Sequence, residues 1–283
     1  MSAIALVGCN GANKTDIIPP RDVAEALQRV NTHAPTGDAP LYCTGLVSIR
    51  FRDAQQNTRR FVAQPMTLIF RPDRCLYFNI KNNLAGSLAR IGSNDDRFWL
   101  CVDDSDFRKM WWGEWAGADG AGANDLPVPP NDLLDALMLR CLSDGSDAGP
   151  SPFLRIVEND HRLIYVRTND EGRTIGVREV VLNPNAPYLP KEIIDRSCDG
   201  HVVMRAQIEN WRPVGDTKTH TARRYVVEWP MRDAELRIDI DAAKFRPDQP
   251  PFCEFPREWN GPIEQIGESA AAAPPNASEP GTP

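Results

Sequence analysis

The 283-residue sequence contains no block of lysine or arginine, and its acidic residues outnumber its basic ones, giving a formal net charge of −7. Nucleic-acid-binding domains carry basic patches, and proteins drawn to anionic bilayers carry polybasic segments. We therefore expect neither role. No internal stretch approaches the roughly 18 consecutive apolar residues that a membrane-spanning helix needs.

The sequence also lacks the motifs of common enzyme and metal sites. It has no C-x-x-C pair, no H-E-x-x-H and no G-x-S-x-G motif. The acidic runs Asp95–Asp96 and Asp103–Asp106 suggest Ca²⁺ ligands, but they lack the glycine and distal glutamate of an EF-hand, which favours solvated turns. We expect no catalysis, no metal site and no cofactor, and we interpret all four histidines as solvated residues: His33, His161, His201 and His220.

The start of the chain carries the most specific signal. An apolar run leads into Leu6-Val7-Gly8-Cys9, which resembles the bacterial lipobox, where the cysteine is acylated. Each buried CH₂ contributes roughly 0.8 kcal/mol, so several acyl chains anchor a protein firmly. Only eight residues, none of them basic, precede Cys9, whereas a secretory signal has about 15–30. Either the true start codon lies further upstream, or the run is not a signal and is a buried first strand with an unrelated cysteine.

Six further cysteines follow Cys9. An even number permits full pairing in an exported protein, but nearly all lie in apolar segments, where cysteine also behaves as a small hydrophobic residue. The sequence leaves bridges and thiols open, and the absence of a compact spacing pattern favours mostly free thiols. The six are Cys43, Cys75, Cys101, Cys141, Cys198 and Cys253.

Two segments have helical periodicity. Residues 16–31 predict one amphipathic helix because four apolar residues recur at the spacing of a single helical face, namely Val23, Ala26, Leu27 and Val30. A second helix is predicted that includes residues 133–139. Prolines 129–130 and an Asn131-Asp132 cap precede it, and we expect it to end near Asp144-Gly145.

Most of the remaining chain alternates apolar and polar residues. The clearest example is the last predicted strand, where Leu236, Ile238 and Ile240 alternate with charged residues. About ten to twelve such strands, joined by short polar turns, predict antiparallel neighbours. The alternation indicates a sheet with one dry face and one wet face.

The predicted elements follow the lipobox in the order helix, strands, helix, strands. In this order, residues 16–255 resemble the LolA/LolB-like lipoprotein carrier fold. Phe98-Trp99-Leu100 after a polar turn and Asp195–Gly200 before a strand resemble that family locally. Residues 110–113 followed by 128–134 look like lipoproteins of this fold from planctomycete-type bacteria. The resemblance implies a mainly β (α+β) fold: a strongly curved antiparallel sheet, or incomplete β-barrel, with helices on its concave side.

In that family, acyl chains of lipoproteins bind between the sheet and the helices. If the two helices here cover the apolar strand faces fully, the protein is a solid scaffold; if they leave a gap, the gap is an apolar pocket for an acyl chain. The candidate lining residues are Leu68, Phe70, Phe78, Ile80, Leu236 and Ile238.

Three tryptophans are candidate membrane contacts. Alternation places Trp111 and Trp112 on opposite faces of one strand, and Trp115 follows closely. Aromatic rings favour the membrane–water interface, and LolB-like proteins touch the membrane through an exposed hydrophobic loop. The alternative is ordinary packing in the core and at the sheet edge.

These observations predict a lipoprotein signal remnant at 1–8, a tether at 9–15, a single domain at 16–266 and a disordered tail at 267–283. The predicted function is non-catalytic binding of a lipid or lipoprotein acyl chain by a protein anchored to a bilayer through Cys9. The alternative is a structural or interaction lipoprotein without a cavity. Because Asn10 is not the aspartate that retains some lipoproteins at the inner membrane, we expect the outer membrane, facing the periplasm.

Overall fold

The structure, a computed structural model, describes residues 18–266 with gaps at 53–55, 73, 83–85, 105–106, 116–127, 147–149, 170 and 257. The predicted signal remnant and tether, Cys9 included, and the predicted tail at 267–283 lie outside the described residues. Within the described part, neither helix is long and apolar enough to cross a membrane.

One sheet of fourteen strands forms most of the molecule, in the order β14-β6-β5-β4-β3-β2-β1-β13-β12-β11-β10-β9-β8-β7. Neighbours are antiparallel except β14, which runs parallel to β6. The strands are β1 Leu41–Arg52, β2 Thr58–Arg71, β3 Cys75–Asn82, β4 Gly86–Ser93, β5 Arg97–Asp104, β6 Phe107–Glu114, β7 Phe153–Val157, β8 Asp160–Thr168, β9 Thr174–Leu182, β10 Pro190–Ser197, β11 Val202–Pro213, β12 His220–Trp229, β13 Ala234–Phe245 and β14 Ile263–Ile266.

The predicted fold class is confirmed: the protein is mainly β, with a curved, unclosed sheet and few helices. The predicted count of about ten to twelve strands was too low. Strand β14 was missed because four residues are too short to show alternation, and because a parallel partner distant in sequence leaves no hairpin signal.

The first helix, α1, spans Val23–Asn31, so its predicted end is correct and its predicted start at residue 16 is wrong. Asp22 is the N-cap, and its side chain accepts a hydrogen bond of 2.8 Å from the backbone N–H of Glu25. The capping residue and the prolines at 19–20 fix the start, since proline is disfavoured inside a helix. Ala26, Leu27 and Val30 point into the core.

The second helix, α2, spans Pro130–Ala136 and is shorter than predicted. Proline at its first position agrees with the prediction, but the predicted Asn131-Asp132 cap is wrong. Pro129 is the N-cap and offers no side-chain hydrogen bond. The carboxylate of Asp132 instead accepts a hydrogen bond of 3.0 Å from Nε1 of Trp229 on β12.

The residues after β13 form a segment, 246–266, that we call the C-terminal strap; residue 257 within it is not described. A disulfide between Cys75 and Cys253 joins the strap to β3. Phe255 packs against the rings of Trp99 and Trp112, at centroid distances of 5.5 and 5.7 Å. The strap thereby covers a second, smaller apolar cluster on the side of the sheet away from the helices.

Candidate functional site

The main core lies where the concave face of the sheet meets α1 and α2. Pairing between β2 and β3 places Leu68 opposite Phe78, and pairing between β1 and β13 places Ile238 opposite Val47. All six predicted lining residues are at most 2% exposed and belong to this one core: Leu68, Phe70, Phe78, Ile80, Leu236 and Ile238. The sequence therefore identified one continuous apolar surface.

Helix α2 and the residues that follow it belong to the same core as this surface. Leu133 and Leu134 are completely buried, and residues 136–139 are also in the core. Two clefts in the described part of the chain are not lined by any of the six residues. In this structure the apolar surface is covered by protein side chains rather than open.

A buried ionic cluster holds α2 against the sheet. Arg178 on β9 contacts Asp135 of α2 at 2.5 Å and Asp195 of β10 through two hydrogen bonds of 2.6 and 2.7 Å. Arg140, just beyond α2, also pairs with Asp135. We call Asp135, Arg140, Arg178 and Asp195 the helix-anchoring cluster. Burial alone would raise the pKa of Asp135, but the two guanidinium groups outweigh burial and lower it.

Asp132 lies beside this cluster without a cation in direct contact among the described residues. Burial raises its pKa to about 6, and the neighbouring charges of Asp195 and Asp135 act in the same direction. The Trp229 N–H and the more distant charge of Arg178 oppose the shift without cancelling it. Asp132 therefore exchanges a proton in the range between acidic and neutral pH.

Helix α1 is joined to the segment after α2 by a reciprocal contact. The Asn31 side-chain amide donates to the carbonyl of Leu142 at 2.9 Å and accepts from its N–H at 2.8 Å. Tyr165 on β8 donates to the carbonyl of Ser143 at 3.1 Å. The two helices and the segment after α2 therefore form one cover over the concave face.

Two clefts lie outside the main core. The first, about 730 Å³, lies between α1 and the β9–β10 loop and is lined in part by Arg29, His33 and Tyr188. The second, about 620 Å³, is lined by Arg74, Asp95, Asp96, Arg97, Glu114 and Trp115. Asp95 and Asp96, which the sequence placed in a turn, thus line this cleft together with Arg74 and Arg97.

The three predicted membrane-contact tryptophans are covered in this structure. Trp111 and Trp115 are buried in the main core, and Trp115 donates a 2.6 Å hydrogen bond to the Asn94 carbonyl. Trp112 lies on the opposite face, as alternation predicts, partly buried against Phe255 of the strap. Membrane contact by these rings remains a prediction that would require the covering residues to move.

The cysteines agree in part with the expectation of mostly free thiols. Cys43, Cys101, Cys141 and Cys198 are free, whereas Cys75 and Cys253 are bridged. Burial raises the pKa of the Cys43 thiol to about 12 and that of Cys101 to about 11, so both are unreactive hydrophobic residues at neutral pH.

The interpretation of all four histidines as solvated is wrong for His161. This ring is buried, with Nδ1 at 3.0 Å from the Tyr188 hydroxyl and Nε2 at 3.2 Å from the Glu158 carbonyl. His33 and His220 are partly buried and lie edge to face, and each has Nδ1 at 2.8 Å from the Lys218 carbonyl; His201 is exposed. Among the described residues, no three metal-ligating side chains converge.

The helix-anchoring cluster was not predicted from the sequence. Its members come from α2, the segment after it, β9 and β10, which are far apart along the chain. One signal could have revealed it: Arg178 and Asp195 occupy inward positions of strands whose other inward residues, Val180 and Ile193, are apolar. A charged residue at an inward position needs a partner.

No protein-family model matches this sequence, and no curated protein matches it either. Among solved structures, the chain is similar to a putative outer membrane lipoprotein-sorting protein domain from Vibrio parahaemolyticus. That alignment has a TM-score of 0.50 and 11% identity, and it covers 80% of this chain and 92% of the other. A LolA superfamily protein from Nitrosomonas europaea aligns with a TM-score of 0.49 and 12% identity over 81% of this chain and 95% of that one. The alignment with the Vibrio domain supports the LolA/LolB-like fold that the sequence predicted.

Proposed function

We propose that this protein binds a lipid or a lipoprotein's acyl chain between the concave face of its sheet and helix α2, without catalysis. One observation carries the proposal: a continuous buried apolar surface shares its core with a helix of only seven residues. A helix this short is unstable on its own and depends on tertiary contacts. An acyl chain that replaces its side chains exchanges one apolar contact for another, so the main cost of displacing α2 is the loss of its polar contacts.

The likeness to a lipoprotein-sorting domain supports this proposal at the level of fold. The contacts of α2 support it locally, since the helix is fixed by the helix-anchoring cluster rather than by a capped N-terminus. Displacing α2 requires breaking the contact between Asp135 and Arg178, while Asp195 can keep Arg178 in place on the sheet.

A second candidate function is a structural or protein-interaction role without a ligand. The complete burial of Leu133 and Leu134 against the sheet favours this alternative, because it leaves no open cavity over the six lining residues in the described structure. The two candidates differ in one measurable respect: only the first requires the cover to open for a lipid.

Photolabelling separates the two functions. The full chain is incubated with a diazirine-bearing palmitate, irradiated and digested, and the labelled residues are identified by mass spectrometry. We expect saturable labelling of β2, β3 and β13 that unlabelled palmitate suppresses, and stronger labelling in Asp135→Asn, which weakens the hold on α2. Asp239→Asn is the matched control, since Asp239 pairs with Arg224 in a half-exposed ion pair. Labelling that does not saturate, or that stays on the outer face, would favour the scaffold.

We further propose that Cys9 is acylated and anchors the protein in the cell envelope, at the outer membrane facing the periplasm. The sequence Leu6-Val7-Gly8-Cys9 supports this proposal. Metabolic labelling with a clickable fatty acid, using the native upstream start, tests it. We expect label in the wild type and in the control Cys141→Ala, and none in Cys9→Ala. Equal labelling of all three proteins would contradict the anchor.

A further inference from the structure

Three residues on neighbouring strands form a row on the concave face, beside the helix-anchoring cluster. Gly176 on β9 lies opposite Arg167 on β8 and opposite Ser197 on β10. Because strand residues alternate between faces, Gly176 lies on the same side as Arg178, and Ser197 lies on the same side as Asp195. We call these three residues the Arg167–Gly176–Ser197 row.

The side chain of Arg167 lies across the glycine. A β-carbon placed on Gly176 would be 2.8 Å from Nη2 of Arg167 and 2.6 Å from the Arg196 carbonyl oxygen. Only glycine leaves room for the guanidinium to lie against the strand at this point. The strand pairing therefore places an arginine and a serine on either side of bare backbone, on the same face of the sheet.

Two polar atoms of this row are buried without a partner. Nε of Arg167 and Oγ of Ser197 have no hydrogen-bond partner in the described structure, although buried polar atoms are normally satisfied. Arg167 also forms no ion pair within that part of the chain, while its neighbour Arg178 is neutralised by Asp135 and Asp195. The row thus presents a permanent positive charge and a hydroxyl that no described group uses.

An oxyanion fits these features. Arginine's planar guanidinium binds phosphate and carboxylate oxygens through paired N–H donors, and a serine hydroxyl adds one further donor. We infer that the Arg167–Gly176–Ser197 row binds the phosphate or carboxylate headgroup of an amphiphile whose apolar chain lies under α2. This inference rests on the proposed function and specifies its ligand class: an anionic amphiphile rather than a neutral one.

Calorimetric titration of the full chain with three probes tests the inference: dodecyl phosphate below its micelle concentration, dodecanol and inorganic phosphate. In the wild type we expect dodecyl phosphate to bind more tightly than dodecanol. Arg167→Gln should weaken dodecyl phosphate binding by about 10- to 100-fold, the usual effect of losing a charged hydrogen bond, and leave dodecanol unchanged. The matched control is Arg173→Gln, which removes the same charge from an exposed side chain that pairs with Glu171.

Ser197→Ala provides a second variant with little risk to folding, and circular dichroism confirms that each variant is folded. It should weaken dodecyl phosphate binding by less than Arg167→Gln does, because it removes a neutral donor.

The outcomes separate the inference from the proposed function. Equal binding of dodecyl phosphate and dodecanol, or no effect of Arg167→Gln, overturns the anion site and leaves acyl-chain binding intact. Binding of inorganic phosphate that depends on Arg167, with no binding of either chain, supports an oxyanion site and overturns the acyl-chain proposal. Binding of none of the three probes overturns both.

Discussion

Arg178→Leu is the substitution that best tests how α2 is held. Arg178 is the only cation paired with Asp195 among the described residues, and the Asp195 side chain is only 3% exposed. The substitution leaves that carboxylate buried without a counter-charge, while Asp135 keeps Arg140. Leucine retains most of the apolar contact of the arginine stem, so the measured effect reports mainly on the lost charge.

Removing one partner of a buried ion pair typically costs about 3–5 kcal/mol, because the remaining charge is uncompensated. We expect a loss in that range at pH 7. The loss should shrink in acid. The arginines lower the pKa of Asp135, so Asp135 contributes stability above its ordinary pKa of about 4 and loses that contribution as the pH falls. The gap between wild type and variant is therefore widest at neutral pH.

Urea unfolding followed by tryptophan fluorescence at pH 7 and at pH 3.5–4 (roughly the range of an ordinary aspartate) measures both effects. Arg224→Leu is the control, since Arg224 pairs with Asp239 in a half-exposed pair, and exposed pairs contribute about 0–1 kcal/mol. If Arg178→Leu costs no more than this control, the helix-anchoring cluster does not fix α2, and apolar packing alone holds the helix on the sheet.

Three further predictions concern the same cover and the strap. Because burial raises the folded-state pKa of Asp132 to about 6, the wild type should lose roughly 2–3 kcal/mol of stability as pH rises from about 4 to about 6. Asp132→Asn should abolish this loss. If the free energies of unfolding of the two proteins, measured in urea, change in parallel across that range, the prediction is wrong. Leu134→Ala should lower the free energy of unfolding by about 2–5 kcal/mol and tighten dodecanol binding; calorimetry that finds weaker binding would contradict it. Cys253→Ser should destabilise the protein by up to about 5 kcal/mol, because the lost bond to Cys75 joins residues 178 apart; an equal effect of the exposed control Cys198→Ser, seen by thermal unfolding, would argue against this.

Much of the sheet could be predicted because most strands carry their own alternation of apolar and polar residues. Leu236, Ile238 and Ile240 alternate with charged residues, and the structure buries all three on one face. The same local logic found the end of α1 at Asn31 and proline at the start of α2.

Features that depend on distant parts of the chain could not be predicted. The sequence around Asp132 suggests a helix cap, but a tryptophan on β12 takes its carboxylate. The pairing of Cys75 with Cys253 depends on where the C-terminal strap crosses the sheet, and the partner of Arg178 depends on where α2 lies. The apolar surface of the candidate site was therefore predictable, whereas the charged residues beside it were not.

The ends of the strand order have a consequence for association with other chains. The two outermost strands, β14 and β7, have four and five residues, whereas every other strand has at least eight. The unpaired backbone N–H and C=O groups of an edge strand can hydrogen-bond to a strand of another chain, and a short edge strand offers few of them. A strand from another chain would form only a few backbone hydrogen bonds at either edge. The short edge strands therefore limit edge-to-edge association into fibres, although the sheet does not close into a barrel.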